Sequence, residues 1–188
     1  MRRPKFARHA RIPFERWIKP RFAGKPIKYL ELGVYQGASA LWMFENVLTH
    51  PECRAVLVDP WMSYTADDKH VYSDDMMRAA RAGVFQMHLD NKWPSTIFVD
   101  TASNFLLKNC GYQYDLIYHD GAHDAGSVLT DAVLIMKVVK PGGWIVFDDC
   151  NEPGCGKAVK AFADVFSERL LPIYATKQPR CYEAKAKE

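Results

Sequence analysis

Short apolar segments rich in β-forming residues recur along this chain, and helical patterns separate most of them. The first five segments cover residues 27–32, 55–58, 96–99, 114–118 and 144–147. Buried parallel strands have this uninterrupted apolar character because both of their faces are covered. The alternation therefore predicts an α/β fold with a doubly wound, mostly parallel sheet and helices on both faces.

The pattern changes after a predicted helix at residues 156–167. Residues 170–175 and 180–183 are predicted to form an antiparallel C-terminal strand pair, which brings the sheet to seven strands. Residues 61–93 are irregular and polar in pattern and are interpreted as an insertion or a lid. Because the chain has 188 residues, 48% of them hydrophobic, residues 27–188 are expected to form a single domain with its own core.

Residues 1–26 are interpreted as a basic N-terminal arm. Residues 1–28 hold ten lysines and arginines and one acidic residue, Glu15. Such a surplus of positive charge either forms a solvated surface or attracts an anionic substrate, a nucleic acid or a partner. The arm also contains Phe14, Trp17 and Phe22, so part of it is expected to pack on the domain. Binding of nucleic acid is not favoured, although the arm leaves it open.

The five cysteines are odd in number and include no Cys-x-x-Cys pair. This usage is typical of reduced thiols and disfavours a disulfide framework or a zinc site. No apolar run is long enough to span a membrane, and the N-terminus shows no hydrophobic signal core. We therefore expect a cytoplasmic protein without a membrane partner.

A glycine-containing loop follows the first predicted strand. It reads Glu-Leu-Gly-Val-Tyr-Gln-Gly over residues 31–37. Glycine lets a backbone turn sharply and approach a ligand closely, and the following helix offers free N–H groups to an anion. The dinucleotide-binding and P-loop patterns do not fit, because the chain lacks the third glycine of the one and the lysine of the other. A cofactor loop and an ordinary strand-to-helix turn both remain possible interpretations.

Polar residues follow the next predicted strands, where open α/β sheets bind their ligands. Asp59 follows the second strand, and its carboxylate either accepts hydrogen bonds from the ribose hydroxyls of a cofactor or caps a loop. Ser103 and Asn104 follow the third strand. Both are candidates for contact with an adenine edge, although serine and asparagine are also common in turns.

Carboxylates gather after the fourth and fifth predicted strands. Asp120 follows the fourth strand, and Asp148 and Asp149 follow the fifth. Protonation, a basic partner or a cation normally relieves the repulsion within such a cluster, and Mg²⁺ prefers oxygen ligands of this kind. Alternatively, Asp148 and Asp149 cap the loop before the helix predicted at residues 156–167 or pair with basic residues of the arm.

Taken together, these motifs resemble those of class I S-adenosylmethionine-dependent methyltransferases. The Glu-x-Gly-x-x-x-Gly loop resembles their first motif, and residues 30–40 as a whole resemble that motif in catechol O-methyltransferases. Residues 114–123 and 140–149 are more similar to macrocin O-methyltransferase-like proteins, in which Asp-Gly-x-His is typical. The similarity covers about residues 27–165 and implies a Rossmann-like sheet.

The resemblance also implies which residues form the site. S-adenosylmethionine would be the cofactor, and Mg²⁺ would be held by Asp120, Asp148 and Asp149. His123 stands where catechol enzymes have a catalytic lysine and is the implied base, so His123 and Asp120 are the implied catalytic residues. The implied cofactor-binding residues are Glu31, Gly33, Tyr35, Gly37, Ser39, Asp59, Ser103, Asn104 and Asp120.

The implied activity is metal-dependent O-methylation of a hydroxyl on a small molecule or a sugar. The alternatives are a metal-independent N-methyltransferase and a noncatalytic module that binds a cofactor or RNA. Amine methyltransferases usually carry an Asn-Pro-Pro-Tyr type of motif where this chain has Asp120-Gly-Ala-His123. His119 also departs from the family, which has a smaller apolar residue there, and we interpret it as structural. Because the arm is shorter than the N-terminal helical region of many relatives, a partner subunit of a homo-oligomer would complete the site.

Overall fold

A computed structural model of the protein describes residues 4–67, 70–175 and 179–185. Helices and strands alternate along most of the chain. The N-terminal helical elements are α1 (Arg8–Pro13), a π-helical turn (Phe14–Ile18) and α2 (Lys19–Phe22). Next come β1 (Lys28–Leu32), α3 (Ala38–Asn46), β2 (Arg54–Val58), β3 (Tyr64–Asp67), β4 (His70–Tyr72), α4 (Asp74–Asn91) and β5 (Ser95–Phe98). The remaining elements are α5 (Ala102–Lys108), β6 (Tyr114–His119), α6 (Ala125–Val138), β7 (Val139–Phe147), α7 (Pro153–Val165), a 3₁₀ turn (Ser167–Arg169), β8 (Leu170–Ala175) and β9 (Arg180–Ala184).

Seven strands form the central sheet in the order β5-β2-β1-β6-β7-β9-β8. The first five of these are parallel, whereas β9 runs antiparallel to both of its neighbours. The predicted fold class is therefore confirmed, including the antiparallel C-terminal pair. Because the strand order reverses between β1 and β6, the crevice for a ligand lies at the carboxyl ends of these strands.

The register of the parallel strands decides which residues meet at that edge. Leu32 at the end of β1 pairs with Val58 of β2 and with His119 of β6, and His119 pairs with Phe147 of β7. The residue that follows each strand therefore lies at the same level. In this way the sheet brings Gly33, Asp59, Asp120 and Asp148 to one edge.

Side chains alternate between the two faces of the sheet and form two buried clusters. On one face, Tyr118 and Val146 pack with residues of the π-helical turn and of α2, α3 and α4. On the other face, Ile117 and Phe147 pack with residues of α5, α6 and α7. Helices therefore cover both faces, as predicted.

The N-terminal segment (residues 4–26, the described part of the predicted arm) packs on the sheet through its apolar residues, as expected. Phe14 and Ile18 are fully buried, and the Phe14 ring lies 4.9 Å from the ring of Tyr118. The Phe22 ring lies 5.4 Å from that of Trp144. The described lysine and arginine side chains of the segment are exposed, so the segment shows an apolar face to the domain and a basic face to solvent.

The interpretation of residues 61–93 as irregular is wrong. The region contains the hairpin of β3 and β4 and the 18-residue helix α4. The Ser73 hydroxyl caps α4 by accepting a hydrogen bond from the Met76 N–H. Met77, Ala80 and Val84 recur at helical spacing and are buried. Among the described residues, no helix combines the length and the apolar character needed to cross a membrane. Whether the region acts as a lid stays a prediction, and its residues 68 and 69 lie outside the described part of the chain.

Candidate functional site

A cavity of about 780 Å³ opens at the carboxyl ends of the parallel strands. Its walls come from the loop after β1, the segment from β2 to the β3–β4 hairpin, the start of α5, the loop after β6 and the start of α7. This volume is within the range of sites for small molecules and cofactors. The predicted site residues that line it are Gly33, Tyr35, Asp59, Ser103, Asp120 and His123.

Gly33 allows the end of β1 to lie directly against the end of β6. Its φ angle is +90°, and a Cβ at this position would lie 2.0 Å from the backbone oxygen of Asp120. Only glycine fits such a contact. Gly37 has a φ angle of +76° and begins α3, where a Cβ would lie 3.0 Å from a side-chain carbon of Met87 in α4. Gly37 therefore contributes to the shape of the loop but does not itself line the cavity.

Asp59 fastens the glycine loop. Its Oδ2 accepts hydrogen bonds of 2.8 Å from the N–H groups of Val34 and Tyr35, and its Oδ1 accepts one of 2.6 Å from the N–H of Trp61. The Trp61 indole in turn donates to the Tyr35 carbonyl at 2.9 Å. The loop-capping role considered for Asp59 is therefore observed. A carboxylate has about four acceptor positions, so Asp59, which lines the cavity, can still accept a further hydrogen bond. Its contact with a ribose stays a prediction.

Glu31 and Ser39 lie behind the loop instead of lining the cavity. Glu31 is fully buried and accepts hydrogen bonds from the hydroxyls of Tyr29, at 2.8 Å, and Ser39. Burial raises the pKa of the Glu31 carboxyl from 4.5 to about 7, although its two hydrogen bonds oppose the shift. Both side chains join β1 to the start of α3, and their predicted contact with a cofactor stays a prediction.

Glu31→Gln is expected to flatten the dependence of stability on pH. The folded protein holds the Glu31 proton more tightly than the unfolded chain, so the wild type should lose stability as the pH rises from about 4.5 to about 7. That loss is on the order of 3 kcal/mol, and glutamine cannot undergo it. Urea unfolding at pH 5 and pH 7.5 would measure the difference, with the exposed Glu45→Gln of α3 as the control. A variant that follows the wild-type curve would contradict the shifted pKa.

Ser103 and Asn104 differ in their surroundings. The Ser103 hydroxyl lines the cavity and donates a hydrogen bond to Asp131 of α6. Asp131 is buried, and its other oxygen lies 3.0 Å from His119 Nε2, which supports the structural interpretation of His119. Asn104 is absent from the lining, and its N–H donates to the Thr101 hydroxyl at the start of α5. We did not predict Asp131, although a carboxylate among the apolar residues of a predicted helix is a signal for a buried polar contact.

Tyr118 links two carboxylates of the acidic cluster. Its hydroxyl lies 3.1 Å from Asp120 Oδ2 and 2.5 Å from Asp148 Oδ2, and it can donate its one proton to either. Burial raises the pKa of Asp120, and the charges of Asp148 and Asp149 raise it further. Burial also raises the pKa of Asp148. Bringing these acids together has an electrostatic cost that a cation would relieve.

His123 pairs with the third carboxylate. Its Nε2 lies 3.2 Å from Asp149 Oδ2, and the hydrogen bond to Asp149 holds the pKa of His123 above its ordinary value of 6.5. The Asp149 backbone has a φ angle of +49°. Helix α7 begins after Glu152 without a side-chain cap. In the loop before α7, Asp148 Oδ1 accepts a hydrogen bond of 2.8 Å from the Asp149 N–H, so a loop-capping contact of Asp148 is observed.

Within the part of the chain that the structure describes, two groups of side chains place their ligand atoms close enough for a metal ion. Asp120, His123 and Asp149 form one group, and His9, Asp148 and Asp149 form the other, with the ligand atoms of each group within 4.8 Å of one another. The three predicted metal ligands therefore all take part, but Asp120 and Asp148 fall into different groups. His9 comes from the N-terminal segment and was not predicted. Carboxylate oxygens with imidazole nitrogens form a donor set that suits a divalent metal ion.

Residues 30–150 match a family model described as a methyltransferase domain. No relative matches among curated protein sequences.

Solved structures that are similar in fold include three that are named as methylases or methyltransferases. A protein provisionally named an rRNA methylase, from Clostridium thermocellum, has a TM-score of 0.69 and 14% identity, with 97% of this chain and 99% of that chain covered. The O-methyltransferase TomG from Streptomyces achromogenes, of tomaymycin synthesis and in complex with S-adenosylmethionine, has a TM-score of 0.64 and 15% identity over 98% and 82% of the two chains. CalS11, a TDP-rhamnose 3′-O-methyltransferase of calicheamicin biosynthesis, has a TM-score of 0.50 and 18% identity over 84% and 72%. At these identities the likeness concerns the fold.

Proposed function

The chain belongs to the methyltransferase domain family and is an S-adenosylmethionine-dependent methyltransferase, and from this premise we propose that it methylates a hydroxyl oxygen with the help of a divalent metal ion. The observation that carries the proposal is the cluster of Asp120, His123, Asp148 and Asp149 beside the cavity. The substrate class is a small molecule or a sugar, in line with the hydroxyl chemistry of TomG and CalS11.

The residues of the glycine loop suit the cofactor. When bound, S-adenosylmethionine supplies an electrophilic methyl group on a positively charged sulfur. Gly33, Tyr35 and Asp59 would bind it from one wall of the cavity, and Ser103 from another. Because Asp59 holds the N–H groups of Val34 and Tyr35 in place, the loop is organised before a ligand arrives, which lowers the entropic cost of binding.

The acidic cluster suits the metal ion. A divalent ion supplies Lewis-acid activation of a hydroxyl oxygen when it is bound. Asp120, Asp148 and Asp149 would hold it. Burial, together with the neighbouring carboxylates, raises the pKa of Asp120 and of Asp148, and a bound cation would relieve the electrostatic cost of this cluster. The carboxylates would also orient the substrate hydroxyl toward the methyl group, and such positioning is a large part of the rate enhancement available to enzymes.

His123 is the proposed base. It lines the cavity, where its imidazole can accept the proton of the substrate hydroxyl. Asp149 Oδ2 lies next to the same ring, so it would orient the imidazole and stabilise the imidazolium that forms. Neutral imidazole is the basic form, and a group that titrates near neutral pH suits this task.

A nucleic-acid substrate is the second candidate, because the described basic side chains of the N-terminal segment are exposed. Binding dominated by phosphate contacts would weaken steeply with salt, whereas methylation of a small hydroxyl compound would not. The compartment that we propose is the cytoplasm, because an odd number of cysteines without a Cys-x-x-Cys pair is typical of reduced thiols.

Calorimetric titration of Mg²⁺ and Mn²⁺ tests the proposal. With S-adenosylhomocysteine already bound, the wild type should bind one or both ions saturably. Asp149→Ala should weaken this binding at least about tenfold, since even residues that only orient metal ligands change affinity by about 10–100-fold. Asp90→Ala, on the exposed surface of α4, is the matched control. A wild type that binds neither ion would contradict the metal dependence and leave a metal-independent methyltransferase.

A further inference from the structure

His9 brings the N-terminal segment to the acidic cluster. It lies on α1, far from β7 in sequence, yet a ring nitrogen of His9 and carboxylate oxygens of Asp148 and Asp149 lie within 4.8 Å of one another. His9 is exposed, whereas Asp148 is buried. The histidine therefore lies on the solvent side of the two carboxylates.

Aromatic packing holds α1 in this place. The Phe14 ring lies 4.9 Å from Tyr118, and the Phe6 ring lies 5.1 Å from Phe14 and 6.4 Å from Tyr118. The hydroxyl of the same Tyr118 lies at Asp120 and Asp148. The contacts that dock the segment on the sheet thus also fix the distance between His9 and the carboxylates.

Asp149 belongs to both donor groups, and each group adds one aspartate and one histidine to it. The first group adds Asp120 and His123, and the second adds Asp148 and His9. His123 also lines the cavity, where the proposed function assigns it to the substrate proton. His9 has no such role, and it is absent from the residues that line the cavity, so its imidazole is available to a metal ion.

We propose that His9 is a ligand of the divalent ion held by Asp148 and Asp149, and that this position takes a first-row transition ion such as Mn²⁺ or Co²⁺ in preference to Mg²⁺. Imidazole nitrogen suits transition ions, whereas Mg²⁺ favours oxygen ligands and retains water. Metal binding would then fasten the N-terminal segment over the site. The inference rests on the metal dependence of the proposed function.

The sign of one measurement separates a ligand from a mere ionic neighbour. If His9 only pairs with Asp148, removing it frees the carboxylate, and the affinity for a cation stays the same or rises. If His9 is a ligand, removing it deletes a donor, and the affinity for a transition ion falls. The affinity for Mg²⁺ should change little in the second case.

The experiment is a calorimetric titration of the full chain, with S-adenosylhomocysteine bound, by Co²⁺ and by Mg²⁺. We expect His9→Ala to weaken Co²⁺ binding at least about tenfold and to leave Mg²⁺ binding almost unchanged. His50→Ala is the control, because His50 lies before β2 at the opposite edge of the sheet. Circular dichroism would check that the variant is folded. Because His9 is exposed, its replacement by alanine is not expected to change the fold. Unchanged or tighter Co²⁺ binding by His9→Ala would overturn the inference.

Pulsed electron paramagnetic resonance gives a second readout that is independent of activity. In a His123→Ala background, His9 is the one histidine left in the two donor groups, so nitrogen coupling to bound Mn²⁺ should persist there and disappear in the His9→Ala/His123→Ala double variant. Coupling that is absent from the His123→Ala protein would overturn the assignment of His9. A wild type that binds no divalent ion at all would contradict the metal dependence itself, and with it this inference.

Discussion

Gly33→Ala should be among the most damaging single substitutions in this protein. A Cβ at residue 33 would lie 2.0 Å from the Asp120 backbone oxygen and 2.4 Å from its carbonyl carbon. Neither atom can move freely, because the Asp120 N–H donates to the Leu32 carbonyl at 2.8 Å and the Gly33 N–H donates to the Val58 carbonyl at 2.9 Å. Separating the strands at this point breaks contacts of β1 and β6, so we expect a loss of more than about 4 kcal/mol.

The matched control is Gly24→Ala. Gly24 also has a positive φ angle, +72°, but a Cβ there would meet no atom within 4 Å. It therefore isolates the backbone strain of a left-handed residue, which costs about 1–2 kcal/mol. Thermal unfolding followed by circular dichroism should show a decrease in Tm of roughly 2–4 °C per kcal/mol, several times larger for Gly33→Ala than for Gly24→Ala. Equal decreases would show that the strand contact at Gly33 relaxes easily.

Local sequence predicted the strand ends well for a physical reason. Apolar runs mark strands that are covered on both faces, and the residue after such a run must lie at an edge of the sheet. Parallel pairing then aligns these edges, which is why Gly33, Asp120 and Asp148 lie together. The position of the cavity followed from local patterns for this reason, without knowledge of any long-range contact.

Contacts between distant segments were not predictable in the same way. His9 reaches Asp148 because Phe14 and Tyr118 pack across the sheet face, and nothing near His9 in sequence indicates that partner. Asp59 uses its carboxylate to fasten the glycine loop, and this depends on the backbone of Tyr35, whose φ angle is +45°. Such geometry appears only after the loop has folded.

Helix α4 shows a different kind of failure, because its signals were present in the sequence. Ser73 is followed by Asp74 and Asp75, a favourable start for a helix. The buried face of α4 includes the small residue Ala80, and charged residues lie between its apolar residues in the sequence. The helical repeat of apolar residues is therefore weak in the sequence of α4. Helix α4 is nevertheless held in place, because its buried residues pack into the large apolar cluster on the face of the sheet that contains Tyr118.

His123→Gln should lower methyl transfer by about 10²-fold or more while leaving cofactor affinity unchanged. Glutamine keeps the approximate size of the side chain but cannot accept the proton at neutral pH. The pair with Asp149 holds the pKa of His123 above 6.5. With neutral His123 as the proposed base, the wild-type rate should rise with pH as the imidazole loses its proton and then level off.

Transfer of tritiated methyl groups to a panel of phenolic and sugar hydroxyl compounds would measure this effect, with the best wild-type acceptor then used for both proteins. S-adenosylhomocysteine binding, measured by calorimetry, separates chemistry from cofactor affinity. His50→Gln provides a histidine control at the opposite edge of the sheet and should retain the wild-type rate. A His123→Gln protein with full turnover would remove His123 as the base. The proton acceptor would then have to be another group at the cavity. Asp120 is the first to test, because it lines the same cavity and burial raises the pKa of its carboxyl.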